Sequence, residues 1–321
     1  MLDVLTDVVD ATRTTGVVFA HVRFRVPWGL ACEAAPVAGF HVVASGSCLL
    51  VLESGEQVRL GSGDIALVPH GHGHVLTDRP GSPVTPLSEL MGDAEAGELR
   101  SFRLGGDGGE TVLVCGGYLF DARGGPHPLL ELLPPVMHLE SGALDEATRS
   151  LVRVLAGEAA GPGPGSATVM NRVADALLIH VVRAWAATRD GRELGWLAGL
   201  RDPAIGAAIR TIHTEHRHPL PVEELAARVS LSPATFKRRF RDLVGSPPGA
   251  YLTRVRLDQA ARLLRDTDDP VSTIARAVGY STEPAFSRAF SRRHGLAPGR
   301  WRAELRAAPP ASPFAVTHHG R

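Results

Sequence analysis

The chain has 321 residues, 34 Lys+Arg against 34 Asp+Glu, and a hydrophobic content of 44%. That much apolar side chain can build a packed core, which excludes a generally disordered chain, and the length suggests about two domains at ~150 residues each. The zero net charge conceals a split: Pro203 to Arg306 carries 18 basic and 10 acidic residues (+8), the remainder 16 and 24 (−8), so one part of the chain is suited to a polyanion. No run of about 18 apolar residues is present, so no membrane span is expected. The start, MLDVLTDVVDATRTTG, carries Asp3, Asp7 and Asp10 where a secretory signal would be basic. Three cysteines without a CxxC pair, Cys32, Cys48 and Cys115, point to a reducing cytoplasm rather than a disulfide framework.

Residues 15–120 carry short apolar runs, FHVV, SCLLVL, IALVP and TVLVCGGYLF, broken by Gly, Pro and polar turns. This is the spacing of a sandwich or small barrel. The stretch from Arg79 to Glu110 is rich in Pro and Gly and is expected to be an excursion without regular structure. Between two of the apolar runs, GDIALVPHGHGHVLTD sets His70, His72 and His74 at alternate positions. His70 and His72 fall in the turn and are expected at the surface, whereas His74 opens the next strand and is expected to point inward.

This stretch resembles the second motif of the cupin barrel: a glycine, five residues, Pro-x-Gly, two residues and a histidine, here Gly63, Pro69, Gly71 and His74. The Asn that often follows is replaced by Asp78. The resemblance implies that in a metal-dependent cupin His74 would be one of four ligands. The others, two His and a Glu, come from a first motif ending in a glycine, placed here at Gly46. Counting back, the Glu position falls at Gly39 and the His positions near Cys32 or Glu33 and near Ala34 or Ala35, so the usual ligands are absent. His41, two residues past the lost Glu, is a substitute. His74 therefore has three open readings: a contact in a ligand pocket, a structurally satisfied histidine, or a metal ligand. His41, His74 and Cys48 are the candidate effector-pocket residues. No cofactor is required; a zinc or nickel ion on His41 and His74 is the alternative. Cys32, Cys48 and Cys115 are redox candidates, with inert buried thiols the simpler reading because no nearby cation is visible to lower their pKa.

Helices follow. GALDEATRSLVRVLAGEAAG places Leu144, Leu151, Val152 and Leu155 near helical spacing, and GPGPG at 161–165 interrupts the chain. The next segment has Val169, Val173, Leu177, Val181 and Trp185 in steps of four, one apolar stripe. The stripe is either core against the barrel or part of a dimer interface. DGRELGWLAGLRD reads as a linker, and Asp202-Pro203 as N-cap and first residue of a new helix.

The C-terminal region is an internal duplication. Val222, Leu225, Ala226 and Val229 recur as Val271, Ile274, Ala275 and Val278; Phe236, Phe240, Gly245, Pro248 and Gly249 recur as Phe286, Phe290, Gly295, Pro298 and Gly299. Each copy reads as helix, tight turn, helix, with Gly279 in the second turn and Ser230 at that position in the first. Ser232 and the Ser281-Thr282 pair are the expected N-caps. In the first copy Phe236, Phe240 and Leu243 point one way and Ala234, Lys237, Arg238 and Arg241 the other. In the second, Phe286 and Phe290 point inward and Pro284, Ser287, Arg288 and Ser291 outward. An amphipathic helix that is apolar beneath and basic above is what a major-groove reader needs. GAYLTRVRLDQAARLLRD between the copies reads as one connecting helix of ~17 residues, roughly 25 Å, to be compared with the ~34 Å repeat of B-DNA.

Residues from about 205 to 306, above all IARAVGYSTEPAFSRAFSRRHGLAPGRWR, are similar to the DNA-binding domain of AraC/XylS-type transcriptional regulators. The resemblance implies two helix-turn-helix units on an asymmetric site, with Ala234, Lys237 and Arg238 at contact positions of the first recognition helix and Glu283, Pro284, Ser287 and Arg288 at those of the second. The region before residue 140 is similar to the cupin sensor domain of one branch of these regulators, which implies sensing of a small molecule or an oxidant.

The expected fold class is α+β in two domains, an N-terminal cupin-like β-barrel followed by helices and a C-terminal all-α double helix-turn-helix. The expected boundaries are 1–140 for the sensor, 141–200 for a helical dimerisation and linker region, 201–307 for the DNA-binding domain and 308–321 for a disordered tail. The expected function is that of a bacterial, cytoplasmic, ligand-responsive transcription regulator without catalytic residues. Its partners are double-stranded DNA, a small-molecule or oxidant effector, RNA polymerase and a second copy of the chain. The alternative is a metal-dependent cupin enzyme carrying a DNA-binding tail, against which the missing first-motif ligands argue.

Overall fold

The structure, a computed structural model, describes residues 15–92, 99–119, 133–187, 199 and 202–307. The start of the chain, the linker (apart from residue 199 and Asp202) and the tail at 308–321 lie outside the described residues. Two compact units are formed, one holding the strands and the helices up to Ala187, the other the helices from Pro203 onward.

In the first unit the strands are β1 (Thr15–Arg25), β2 (Gly29–Cys32), β3 (Ala38–Ser45), β4 (Cys48–Leu52), β5 (Gln57–Leu60), β6 (Ile65–Val68), β7 (His74–Thr77), β8 (Thr85–Pro86), β9 (Arg100–Gly105), β10 (Glu110–Leu119) and β11 (Met137–Leu139). They form two sheets, ordered β11-β6-β3-β10-β1-β9 and β5-β4-β7-β2-β8. Alternation explains the layering. Ala20, Val22 and Phe24 of β1 face Leu30, Leu50 and Leu76 of the second sheet in one core, all fully buried, as the period of two in a strand requires. Trp28 stacks on Phe24 with ring centroids 3.9 Å apart.

The Arg79–Glu110 stretch departs from the sequence expectation. It contains β8, a short helix α1 (Leu87–Met91) and β9. Leu87 and Met91 are buried and hold α1 to the core, and β9 runs parallel to β1 from Ala20↔Arg100 to Arg25↔Gly105. The Pro and Gly residues mark the turns between these pieces, and the pieces are too short for a periodic signal.

Helices α2 (Glu146–Ala160) and α3 (Ser166–Ala187) pack against strands of the six-stranded sheet. Asp145 caps α2 by accepting from Thr148 N. Gly16 lets α3 approach β1: a Cβ there would lie 2.6 Å from Ala174 Cβ. Gly16 N donates to Asp175 Oδ1, and Tyr118 OH to the Ala174 carbonyl. The buried face of α3 is Met170, Ala174, Leu177, Leu178, Val181, Val182 and Trp185. The stripe expected from steps of four thus joins this face only from Leu177 onward, while Val169 remains exposed and Val173 partly so. Each step of four overshoots a 3.6-residue turn by about 40°, so the stripe winds off the face.

The second unit contains α4 (Pro203–Glu215), α5 (Val222–Arg228), α6 (Pro233–Val244), α7 (Pro248–Asp266), α8 (Val271–Ala277), α9 (Glu283–His294) and α10 (Pro298–Ala307). Asp202 caps α4 through the N–H groups of Ala204 and Ile205 and pairs with Arg239 of α6. Ser232 caps α6 and Thr282 caps α9, each accepting from the N–H three residues on. Gly245 and Gly295 close these helices in the left-handed conformation.

Candidate nucleic-acid interface and ligand cavity

Helices α5–α6 and α8–α9 form two helix-turn-helix units. Ala226 and Ala275, both fully buried, sit where the helices of each pair meet. The turns need a left-handed residue: Gly279 has φ 88°, and Ser230 has φ 56°, the one non-glycine residue with positive φ among the described residues. Phe236 and Phe240 anchor α6 and Phe286 and Phe290 anchor α9, all four at zero exposure. Val244, not the expected Leu243, completes the row in α6; Leu243 is only partly buried.

With these side chains inside, the opposite faces are open. Ala234, Lys237, Arg238 and Arg241 are exposed on α6; Glu283, Pro284 and Arg288 are exposed on α9, with Ser287 partly so. Lys237 reaches Glu223 of α5 at 3.4 Å, an exposed pair that is readily given up for phosphate. Arg238, Arg241 and Arg288 make no ion pair among the described residues, which leaves their guanidinium groups available for phosphate oxygens or a guanine edge.

A second site lies in the sandwich. His74 leads into β7 directly after the Pro69–Gly73 turn. The turn is clamped to the loop before β3, where Ala35 N donates to the Gly71 carbonyl at 3.0 Å. Gly71 has φ 66°, and a Cβ on it would overlap the Ala35 carbonyl oxygen, so the glycine of the motif is a steric requirement. His70 and His72 are exposed, as expected for the turn, with His70 Nε2 on the Leu133 carbonyl. His138 is tied to Asp64 at 2.9 Å.

His74 and His41, which sits on the neighbouring sheet in β3, meet with their Nε2 atoms 2.7 Å apart. The chain of contacts continues in both directions. His74 Nδ1 lies 2.9 Å from the His72 carbonyl, and His41 Nδ1 lies 3.2 Å from Cys115 Sγ. Since a carbonyl only accepts, His74 carries its proton on Nδ1 and offers a lone pair at Nε2. Without an ion, His41 then donates from Nε2 and accepts the Cys115 S–H at Nδ1. Burial, and next the neighbouring His74, push the His41 pKa well below the usual histidine range. Burial also lowers that of His74, against the His72 carbonyl and the Glu53 charge. Both rings are therefore neutral near pH 7.

The pair opens onto a cavity of about 90 Å³ lined by Cys32, Glu33, Gly39, His41 and His74 together with apolar side chains such as Phe19. The positions at which a metal-dependent cupin would carry its first-motif ligands (Cys32, Glu33, Ala34, Ala35 and Gly39) thus line this cavity. A Cβ on Gly39 would stand 3.8 Å from the His74 ring, so the lost carboxylate leaves part of the open space. Cys48, expected in the pocket, instead packs in the core with 3% exposure and is not among the lining residues. Cys32, read only as a redox candidate, does line it. The Sγ of Cys32 and ring nitrogens of His41 and His74 all lie within 4.8 Å of one another. The sequence held that signal, because counting back from Gly46 lands on Cys32. All three cysteines are buried and unpaired; burial pushes the thiols of Cys32 and Cys48 up to about 12 and holds that of Cys115 well above the usual thiol range.

A cupin family model matches residues 3–187 and a helix-turn-helix domain model matches residues 225–304. An AraC-like transcription regulator from Streptomyces antibioticus is 32% identical over 303 residues, spanning 94% of this chain and 98% of that protein. A second one, from Streptomyces lividans, is 30% identical over the same shares. The HTH-type transcriptional regulator MtrA of Neisseria gonorrhoeae is 28% identical over 308 residues, 94% of this chain and 99% of its own length. No helix of the described residues is long and apolar enough to cross a membrane.

Proposed function

Since the chain belongs to the AraC-like family of DNA-binding transcription regulators, with a cupin-type sensing domain joined to a helix-turn-helix reader, we propose that it reads a two-part, asymmetric promoter site through α6 and α9 and that a small molecule in the cupin cavity sets how much of the protein is competent to do so. The repeated frame with outward cations at Arg238 and Arg288 carries the first half of this reading. The phosphate contacts fix register, and the side chains reaching base edges supply specificity. The coupling is a population shift: an effector acts only through a preference for one of two arrangements.

The cavity favours a small ligand. About 90 Å³ is below the ~300 Å³ of drug-sized sites. An apolar wall with a neutral histidine pair at one end suits a compact apolar molecule bearing one hydrogen-bonding group. A small-molecule signal is preferred to direct thiol oxidation, because the nucleophile in such oxidation is the thiolate and burial disfavours it at each cysteine. Reaction of the native protein with a thiol reagent is then expected to be slow at all three; a fast-reacting Cys32 or Cys115 would restore the redox reading. The protein acts in the bacterial cytoplasm, contacts RNA polymerase at its promoters, pairs with a second copy through α2 and α3, and catalyses no reaction.

A genome-wide binding map tests the core of this reading. Discrete sites near promoters, lost in Arg238→Ala, are expected. A map without enriched sites, or one that Arg238→Ala leaves unchanged, contradicts it. A monomeric mass at concentrations that still bind DNA sinks the dimer.

A further inference from the structure

We propose that Cys32, His41 and His74 form a binding site for one divalent cation of the zinc class, with its remaining coordination position facing the cavity. The proposal rests on the geometry of the three donors and not on the cavity being an effector pocket.

The donor set is the first argument. One thiol sulfur and two imidazole nitrogens are the ligands that borderline-soft cations such as Zn²⁺ select, and three protein ligands with one open position is the arrangement of exchangeable zinc sites. The ligand atoms converge within 4.8 Å, and all three residues are at least nine-tenths buried. Cys32 lies at the end of β2 opposite His74 at the start of β7, in directly paired positions, so two of the donors are fixed by one ladder rung. His41 comes from the facing sheet, in the register His41↔Cys115. A cation there would tie the two sheets together.

The outer contacts are the second argument. Histidines that hold metals pass their other ring N–H to a carbonyl or similar acceptor, which fixes the tautomer. His74 Nδ1 has the His72 carbonyl at 2.9 Å, and His41 Nδ1 has Cys115 Sγ at 3.2 Å. Both Nε2 atoms then face the same point, 2.7 Å apart, and two lone pairs at that distance need a proton or a cation between them. Metal–nitrogen bonds of about 2.0–2.1 Å around a tetrahedral ion place two nitrogens roughly 3.3 Å apart, so loading opens the pair from 2.7 Å by about 0.6 Å.

The protons balance as follows. Without metal, His41 holds its proton on Nε2 and Cys32 is a thiol. On binding, His41 changes tautomer: its proton sits on Nδ1, which donates a hydrogen bond to Cys115 Sγ while the Cys115 S–H turns away from the ring. Cys32 loses its S–H proton to solvent and becomes the thiolate ligand, so one proton is released per ion. This set differs from the three histidines and one glutamate of the metal-dependent cupin motif. Cys32 occupies one of the lost histidine positions, His41 is new, and the glutamate position is the vacant Gly39.

Full-length protein, stripped with a chelator and titrated with Co²⁺, gives the test. About one Co²⁺ per chain is expected, with the near-ultraviolet absorption of a thiolate-to-cobalt charge transfer. Cys32→Ser removes that absorption, whereas Cys48→Ser and Cys115→Ser keep it. His41→Ala lowers affinity at least tenfold. Zn²⁺ displaces the cobalt and raises the melting temperature of the wild type as its concentration rises above Kd. Wild-type protein that retains no cobalt or zinc after dialysis overturns the proposal without recourse to any variant, and so does a charge-transfer band that survives in a folded Cys32→Ser protein. DNA binding that persists in the stripped protein leaves the regulator reading intact, so the two readings fail separately.

Discussion

In the first helix-turn-helix unit Phe236 packs on Phe240, which leans on Tyr251 of the following helix; in the second Phe286 packs on Phe290, which leans on Trp301, fifty positions further on. The rings sit at nearly the same separations, 5.7 Å for Phe240–Tyr251 and 5.7 Å for Phe290–Trp301. Outside, the units diverge. Lys237, Arg238 and Arg241 stand on α6; the equivalent positions on α9 are Ser287, Arg288 and Ser291, with Glu283 at the start of the helix. Packing density constrains the inner face, where any change leaves a void or a clash. The outer face answers only to the ligand. A duplicated frame can therefore keep one arginine in common and otherwise carry a more basic and a less basic outer face.

Truncating the inner face is expected to have the largest effect. Phe240→Ala and Phe290→Ala should each destabilise the C-terminal unit by about 3–5 kcal/mol, read by denaturant unfolding. Costs that are similar confirm a common frame; a cost below about 1 kcal/mol in one of them breaks the equivalence. Next, Arg238→Ala should weaken operator binding by about 1–3 kcal/mol, roughly 5- to 150-fold, and Arg288→Ala by less, measured by fluorescence anisotropy at fixed salt. The reverse order would make α9 the principal reader. Ser230→Gly should stabilise the protein by about 1 kcal/mol, because an L-residue in the left-handed region costs roughly 1–2 kcal/mol and glycine does not. Gly279→Ala should destabilise it, since a Cβ there would lie 2.8 Å from the His216 carbonyl oxygen. A melting temperature unmoved by Ser230→Gly would mean that the first turn bears no strain. The smallest effect is expected from Glu283→Gln. Removing a charge that faces DNA tightens binding slightly, more so as salt falls, while the helix start loses a few tenths of a kcal/mol of dipole stabilisation. Binding that is unchanged at low salt would place Glu283 away from the phosphates.

The repeat was the most legible feature of the sequence, because paired aromatics at i and i+4, cap residues and glycines at matching offsets are local signals. The cupin turn was legible for the same reason, down to Gly71. The β9 strand was not: its pairing with β1 joins residues 80 apart, and a Pro-rich stretch around six alternating residues gives no local sign of it. The cavity was half legible. Spacing placed Cys32 and Gly39 at the emptied ligand positions and singled out His41 as a substitute, but only the meeting of two sheets puts His41 against His74, and Cys48, two residues past Gly46, turns into the core instead.

Helix α7 runs 19 residues from Pro248 to Asp266, about 28 Å, with no proline or glycine after Gly249, and it packs against α4, α6, α8, α9 and α10. It is the torsional gauge of the reader. One residue inserted in its middle would turn everything beyond it by about 100° and advance it by about 1.5 Å, so on the proposed reading of the two recognition helices α9 could no longer reach its groove while α6 stayed seated. Single substitutions on the outer faces of α6 and α9 leave the spacing between the two helices untouched; changing that spacing means rebuilding α7 and every surface packed on it.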